Sequence, residues 1–257
     1  MSITDLLSPQ EERHTGFTGG LVLGRVDANN DKKFPGMVKV EFKAWEQGKN
    51  ISQWLPVLLS YAGKEHGKYL LPEVDDIVLV GFMGAMLEKP FVMGSFYPAG
   101  AKLPEKQFDN KNLNRHFATK GGVTFTVRDE SGKQKMEAVT PKGLKISAED
   151  EKEVITVTDK DGKNILRFDC KGGEISLSAD KKISLKAGNC EITMDGNTGG
   201  LTLKCDQLKI EAGKTASIKS GNIMTVEGGM LTVQGKQQLA LKGSALCEIS
   251  GGVVKIN

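Results

Sequence analysis

The chain has 257 residues, enough for one large or two ordinary domains, but only 39% of them are hydrophobic and 6% aromatic, while 31 are glycine. This composition excludes a core built around large aromatic side chains and predicts close packing of small aliphatic ones. The formal net charge is only +3, and lysines and carboxylates are interspersed. We therefore expect no nucleic-acid partner.

The N-terminal segment does not have the pattern of a targeting signal. Residues 1–15, predicted as an N-terminal arm, carry carboxylates where a signal peptide has its apolar core. No stretch of the sequence approaches the roughly 18 apolar residues of a transmembrane helix. The sequence thus predicts a chain that is assembled in the cytoplasm, without a signal peptide or a membrane span.

Residues 16–98 are predicted to form a five-stranded barrel of the oligonucleotide/oligosaccharide-binding (OB) type. Val38, Val40 and Phe42 alternate with polar residues, which is typical of a strand with one solvent-exposed face. The segment IVLVGF from Ile77 is almost continuously apolar, as expected for a strand that is covered on both faces. About eighty residues in five short strands are typical of this barrel. The strand segments are GLVLGRV, MVKVEF, WLPVLL, DIVLVGF and FVMGSFY.

Residues 99–119 contain Pro104 and no clear periodicity, and they are predicted to be a connector. After the connector, residues 120–257 carry a repeat of about eight residues, in which two apolar residues flank one other residue and a glycine or small residue often fills the gap. The pairs are Ile175/Leu177, Ile183/Leu185, Ile192/Met194, Leu201/Leu203, Leu208/Ile210, Ala216/Ile218, Met224/Val226, Leu231/Val233, Leu239/Leu241, Cys247/Ile249 and Val254/Ile256. Looser members lie upstream, at Leu144/Ile146, Ile155/Val157 and Leu166/Phe168.

An eight-residue unit is one short strand and a turn, which is too little to bury anything alone. Three chains wound about one axis would each place eight residues on every face of a triangular prism, so neighbouring chains would complete the core. The narrow interior explains why no aromatic residue follows Phe168. The predicted fold class is therefore all-β: an OB-type barrel followed by an intertwined trimeric triangular β-helix.

The cysteines and histidines do not form a recognisable metal or redox motif. Cys170, Cys190, Cys205 and Cys247 contain no Cys-x-x-Cys pair and are in phase with the inward face, so each is interpreted as a core thiol. Disulfide bonding, or contact around a threefold axis, remains the alternative. No cofactor or metal site is predicted.

Enzymatic motifs are also missing from the sequence, which predicts a protein that is not an enzyme and has no catalytic residues. Carboxylates cluster at Glu149, Asp150, Glu151 and Glu153, and at Asp75 and Asp76. Paired carboxylates could hydrolyse glycosides, but no aromatic sugar platform accompanies them, so solvated turns are favoured. The segment DKDGKN from Asp159 has part of a calcium-loop pattern and is interpreted as a hairpin turn with Gly162 in the left-handed conformation.

Several motifs, which follow one another along the chain, resemble those of the phage baseplate assembly protein V and valine-glycine repeat protein G spikes of contractile injection systems. In the first domain these are SQWLPVLLSYAGKEHGKYLLPEVDDIVLVGF from Ser52 and KPFVMGSFYP from Lys89. In the second they are KGGVTFTVRDESG from Lys120 and TPKG from Thr140, followed by the octads. The resemblance covers nearly everything from Gly20 to Asn257.

The resemblance implies a structural spike: a rigid homotrimeric needle at the tip of a tube, which penetrates a target envelope when the sheath contracts. Only a short arm precedes the barrel, so a separate hub protein is expected on the N-terminal side. At the C-terminal end we expect a PAAR-type tip protein to dock on Val253, Val254, Lys255, Ile256 and Asn257. The tip would contact the target membrane transiently, outside the producing cell. The alternative function is a tail-associated β-helical enzyme that degrades polysaccharides.

Overall fold

A computed structural model describes residues 20–42, 51–83, 89–103 and 110–256. The described residues contain strands and turns but no α-helix, so the all-β prediction is confirmed. None of the described segments is a helix long and apolar enough to cross a membrane. The chain divides into two units, Met1–Lys181 and Lys182–Asn257.

A five-stranded antiparallel sheet forms the barrel domain. Its strands lie in the order β3–β2–β1–β6–β7, and a separate small hairpin joins β4 to β5. The bounds are β1 Val22–Asp31, β2 Phe34–Phe42, β3 Leu55–Pro56, β4 Ala62–Gly63, β5 His66–Gly67, β6 Ile77–Phe82 and β7 Pro90–Ser95. The two ends of the sheet meet at one parallel bridge between Val57 and Val92, where the Leu58 amide donates to the Val92 carbonyl at 2.7 Å. The five predicted strands are all present.

The core of the barrel consists mainly of valines. Its buried members are Val26, Val38, Val40, Phe42, Leu55, Val78, Val80 and Val92. Valine suits this position because its branched side chain packs well on a pleated surface. A β-carbon at Gly24 would lie 2.1 Å from Cγ1 of Val40, so glycine lets β1 approach β2 closely.

A seven-stranded antiparallel meander follows the barrel, with each strand hydrogen-bonded to the next in sequence. Its strands are β8 Asn114–Ala118, β9 Thr124–Arg128, β10 Lys135–Val139, β11 Lys145–Glu149, β12 Val154–Thr158, β13 Ile165–Asp169 and β14 Glu174–Ser178. Strand β8 lies inside the predicted connector, because NRHFA pairs along its whole length with β9. The predicted domain boundaries remain predictions.

The second unit begins with a three-stranded antiparallel sheet. It contains β15 Lys182–Ala187, β16 Cys190–Asp195 and β17 Gly200–Lys204, in that order. Residues 205–256, all of which the structure describes, contain no strand.

From β8 to β17 the structure differs from the predicted winding of three chains. Successive apolar pairs lie on adjacent antiparallel strands of one chain, for example Val157 opposite Leu166. Tight reversals cause this difference, because a left-handed residue such as Gly143, Gly162 or Gly188 turns the chain back on itself. Among the described glycines after Gly199, none has a positive φ. The hairpin pattern therefore ends where the strands end.

Candidate functional site

The seven-stranded sheet has one apolar face, because residues of one face stand opposite each other in the antiparallel register. We call it the apolar face; it consists of two rows across the strands. One row is Phe117, Phe125, Ala138, Ile146, Val157, Leu166 and Leu177. The other is Val127, Met136, Ala148, Ile155, Phe168 and Ile175, with Arg115 at its β8 end.

The opposite face, which we call the polar face, carries hydrogen-bonded side chains. The Ser147 and Thr156 hydroxyls are 2.7 Å apart, and Nδ1 of His116 is 2.8 Å from Oγ1 of Thr126. Lys135 lies 3.0 Å from Glu149 on the neighbouring strand. These contacts pair polar side chains of neighbouring strands within the chain.

The distribution of exposure between the two faces is the reverse of that in an ordinary globular sheet. Ser147 on the polar face is only 5% exposed, whereas its neighbour Ile146 on the apolar face is 54% exposed. Ile175 on β14 reaches 71%. An uncovered apolar face of this size marks a surface that another protein or another copy of the chain covers.

The three-stranded sheet repeats this pattern. Ile192 and Met194 are exposed, while Glu191 and Thr193 on the other face are half-buried. Hydrogen bonds from the Ser184 and Thr193 hydroxyls, both 3.0 Å long, lower the pKa of Glu191. The carboxylate is therefore held in its charged form on the polar side of the sheet.

The octads beyond β17 are not covered by any part of the chain that the structure describes. Every residue of the segment 206–256 is exposed, including the apolar residues of each predicted pair. The proposed tip residues Val253 and Ile256 are 78% and 89% exposed, and Val254 and Lys255 are exposed too. Asn257 lies outside the described residues. The tip assignment stays a prediction.

The carboxylate clusters are placed in turns and ion pairs. Asp150, Glu151 and Glu153 form the β11–β12 turn, and the amide of Glu153 donates to the carbonyl of Asp150 at 3.1 Å. Glu149, the last residue of β11, has its pKa lowered by hydrogen bonds from Lys152 and then Lys135. The predicted turn is confirmed. The carboxylate of Glu149 pairs with Lys135 and Lys152, and that of Glu151 pairs with Lys133.

The second cluster also has a structural role. Asp75 lies in a turn and pairs with Arg25 at 2.9 Å, while the Asp76 carboxylate accepts the amide of Glu73 at 2.8 Å. In the described part of the chain, every carboxyl group with a shifted pKa is shifted downward; these are Glu130, Glu149, Asp159, Asp169 and Glu191. A glycosidase acid needs the opposite shift.

The DKDGKN segment is a hairpin turn between β12 and β13, as predicted. Gly162 has a φ of +66°, and a carboxylate oxygen of Asp159 accepts the Lys163 amide at 2.8 Å. Burial opposes ionisation of Asp159, but hydrogen bonds from the amide of Lys163 and from the side chain and amide of Asn164 outweigh it and lower the pKa. Among the described residues, no group of three or more His, Cys, Asp and Glu could hold a metal ion.

The interpretation of the cysteines as thiols of a core shared between chains stays a prediction. Cys170, Cys190 and Cys247 are exposed and Cys205 is partly exposed in the single chain. The physical reason is the uncovered apolar side: a thiol in phase with it has no interior to enter within one copy.

Sequence reasoning missed the part of the apolar face on β8 to β10. Phe117, Phe125 and Met136 belong to this face, but none of them is in an octad. The alternation of TFTVR and KMEAV could have revealed them, because period-two alternation predicts a strand with one apolar face.

The comparison with known families concerns the barrel. Residues 22–97 match the model of the Type VI secretion system/phage-baseplate injector OB domain, a range that begins with β1 and ends just after β7. No curated protein matches the chain. The matched range contains the two first-domain motifs of the sequence resemblance, which begin at Ser52 and Lys89. Residues 22–97 are therefore an injector OB domain of the Type VI secretion system/phage-baseplate type, which supports the resemblance to the spike family.

Proposed function

We propose that this chain is the central spike of a contractile injection system or contractile phage tail, and that it works as a homotrimeric needle. The observation that carries this proposal is the exposure of apolar residues on one face of each of the two sheets, β8 to β14 and β15 to β17, together with the fully exposed octads of residues 206–256. A single chain with this surface would aggregate. The injector OB domain supports a structural role in a baseplate.

An assembly of three copies would bury the exposed apolar faces. If each copy contributes one sheet with its apolar face inward, the three sheets enclose a triangular core and the polar faces meet water. The octads then continue this core with one eight-residue side per chain. Aromatic residues occur only as far as Phe168, so the interior would become narrower beyond it.

Such an assembly suits a needle that transmits force. Pulling one chain out of an interlocked prism requires unwinding it from two others, so resistance depends on the unfolding rate. The enclosed strands also leave few free lateral edges for unwanted pairing.

The proposal includes three further partners. A separate hub protein would connect the N-terminal side to the tube, and a PAAR-type tip protein would cover the C-terminal end. The target membrane would be contacted only when the needle fires. The exposure of the apolar side chains of Val253, Val254 and Ile256 supports the tip proposal, because exposed apolar surface marks a site that a partner covers.

The mass of the full chain in solution, without denaturant, tests the trimer. We expect three times the 27.8 kDa of one chain, at all concentrations in the micromolar range. A stable monomer would contradict the proposal.

The tip proposal has its own test. We expect deletion of residues 251–257 to abolish capture of a PAAR-type protein while the mass of the assembly stays that of three shortened chains. Unchanged capture would reject the assigned site without touching the trimer.

A further inference from the structure

Two of the four cysteines lie at the end of the β16–β17 hairpin away from its turn. The antiparallel register of β16 and β17 pairs Glu191 with Lys204. Cys190 precedes Glu191 and Cys205 follows Lys204, so the same register continued by one step brings the two cysteines opposite each other. One residue further, Nδ2 of Asn189 donates to a carboxylate oxygen of Asp206 at 3.1 Å, so the two segments still lie side by side there. Contacts between the two segments therefore lie on both sides of the cysteine pair.

The two thiols also share one side of the sheet. They lie on the face of Ile192 and Leu203, since side chains two residues apart in a strand point the same way. Both line one open cleft of about 480 Å³, together with Leu185 and Leu208. Directly opposed residues of antiparallel strands have Cα atoms about 4.5–5.5 Å apart, and disulfides accept about 4.4–6.8 Å.

We propose that Cys190 and Cys205 form one intrachain disulfide when the chain folds under oxidising conditions, before its apolar side is covered, and that they stay reduced in a reducing cytoplasm. The pairing does not depend on the proposed trimer, because both residues belong to one chain.

The oxidant is a low-molecular-weight disulfide such as oxidised glutathione. One protein thiolate attacks a sulfur of the small disulfide, which forms a mixed disulfide and releases one small thiol. The second protein thiolate attacks the protein sulfur of that mixed disulfide and expels the second small thiol. Two electrons and two protons thus pass from the cysteine pair to the small disulfide, which leaves as two thiols.

The bond would fasten the chain at a specific place. Cys205 is the first residue after β17, where the strands end and the octad segment 206–256 begins. A link to Cys190 closes residues 190–205 into a covalent ring, which restricts opening of the β16–β17 hairpin. The disulfide would therefore hold the start of the octad segment to the sheet.

Peptide mapping of the full chain tests the site. The protein is produced once in cells with an oxidising cytoplasm and once in ordinary cells, free thiols are alkylated in denaturant, and trypsin digestion follows without reductant. From the oxidising cells we expect the tryptic peptide 187–204 to be joined to peptide 205–209 in most chains. From ordinary cells both cysteines should be alkylated.

Matched variants separate this pair from the other cysteines. The link should survive in the double variant Cys170→Ser/Cys247→Ser and disappear in Cys190→Ala. Alkylated Cys190 and Cys205 in the oxidised sample, or a link from either to Cys170 or Cys247, would overturn the proposal. A covalent dimer of the Cys170→Ser/Cys247→Ser variant on a denaturing gel without reductant would also overturn it, because that variant has only Cys190 and Cys205 and the proposed bond joins them within one chain.

Hydrogen exchange measures the consequence. Amides of residues 200–205 should exchange at least about tenfold more slowly in the linked protein than after reduction, because the ring limits local opening. Equal exchange in the two forms would refute the fastening role.

Discussion

At the scale of single residues, the polar face is held by charges that are shared between neighbouring strands. Glu149 on β11 contacts Lys135 on β10 at 3.0 Å and Lys152 in the following turn at 2.6 Å. Burial opposes the charge of Lys135, but hydrogen bonds with Glu149 and Glu137 outweigh it and raise the pKa. The two shifts have opposite directions, as expected for partners that stabilise each other.

The lowered pKa of Glu149 predicts a pH dependence of stability. A carboxyl group with a lower pKa in the folded state stabilises the fold above its ordinary value of 4.5, and this contribution is lost as pH falls through the folded value. At pH 7, Glu149→Gln should reduce the free energy of unfolding by about 1 kcal/mol per chain. Below about pH 4 the difference from the wild-type chain should shrink, as measured by thermal unfolding at one protein concentration.

Glu151→Gln is the matched control. Glu151 pairs with Lys133 at 3.2 Å, but both side chains are more than half exposed, so this substitution should change stability little at either pH. An equal effect of the two substitutions would show that net charge, rather than the contacts of Glu149, controls the stability.

Gly24 gives a second prediction at this scale. An alanine there would place its β-carbon 2.1 Å from the buried side chain of Val40, and the strands would have to separate. We expect Gly24→Ala to destabilise the barrel by about 1–3 kcal/mol, as overpacked cores do. Gly121→Ala, where nothing lies within 4 Å of the added carbon, should have almost no effect on the same thermal unfolding curve.

At the scale of elements, the hairpin turns depend on glycines in the left-handed conformation. Gly162 has a φ of +66° and open space around the position of a β-carbon, so backbone strain is the only obstacle to substitution. Gly162→Ala should cost about 1 kcal/mol in unfolding free energy, and Gly162→Asn should cost less, because asparagine tolerates this conformation. Urea unfolding at fixed protein concentration would measure the loss of unfolding free energy in each of the two variants. Equal losses would argue against a left-handed turn.

The elements differ in how far the sequence could predict them. The barrel strands were predictable because their apolar residues are buried within one chain, so alternation and burial agree, as at Val38 and Val40. Strand β8 could not be predicted from the sequence, because NRHFA is short and lies among polar residues. The hairpins from β11 to β17 share the pair pattern of the octads, and the positive φ values of turn residues such as Gly162 and Gly188 distinguish them from the octads.

The candidate site was only partly predictable, for a physical reason. Apolar periodicity shows which side of a strand avoids water, as for Ile192 and Met194, but it does not show what covers that side. Opposition of Cys190 and Cys205 depends on the register of one hairpin, and a shift of one residue would separate them. Pair spacing in the sequence does not fix that register.

At the scale of the whole molecule, the central question is what covers the apolar side of the octads. In the proposed trimer, Leu231 and Val233 point inward and Thr232 between them points to solvent. Leu231→Asp would bury three unpaired carboxylates in each assembly, which we expect to cost at least about 2 kcal/mol per chain. Thr232→Asp places the same charge one residue away on the outer side and should leave stability almost unchanged.

Solution mass and thermal unfolding of the two aspartate variants, compared at equal protein concentration, measure this difference. The comparison holds composition and net charge nearly constant, so a large loss of trimer in Leu231→Asp alone identifies the inward position. If both variants remain trimeric and unfold like the wild-type chain, the octads do not form a shared core. If Thr232→Asp is the damaging variant, the inward and outward sides are exchanged, and the covered surface is the one that the sequence pattern assigns to solvent.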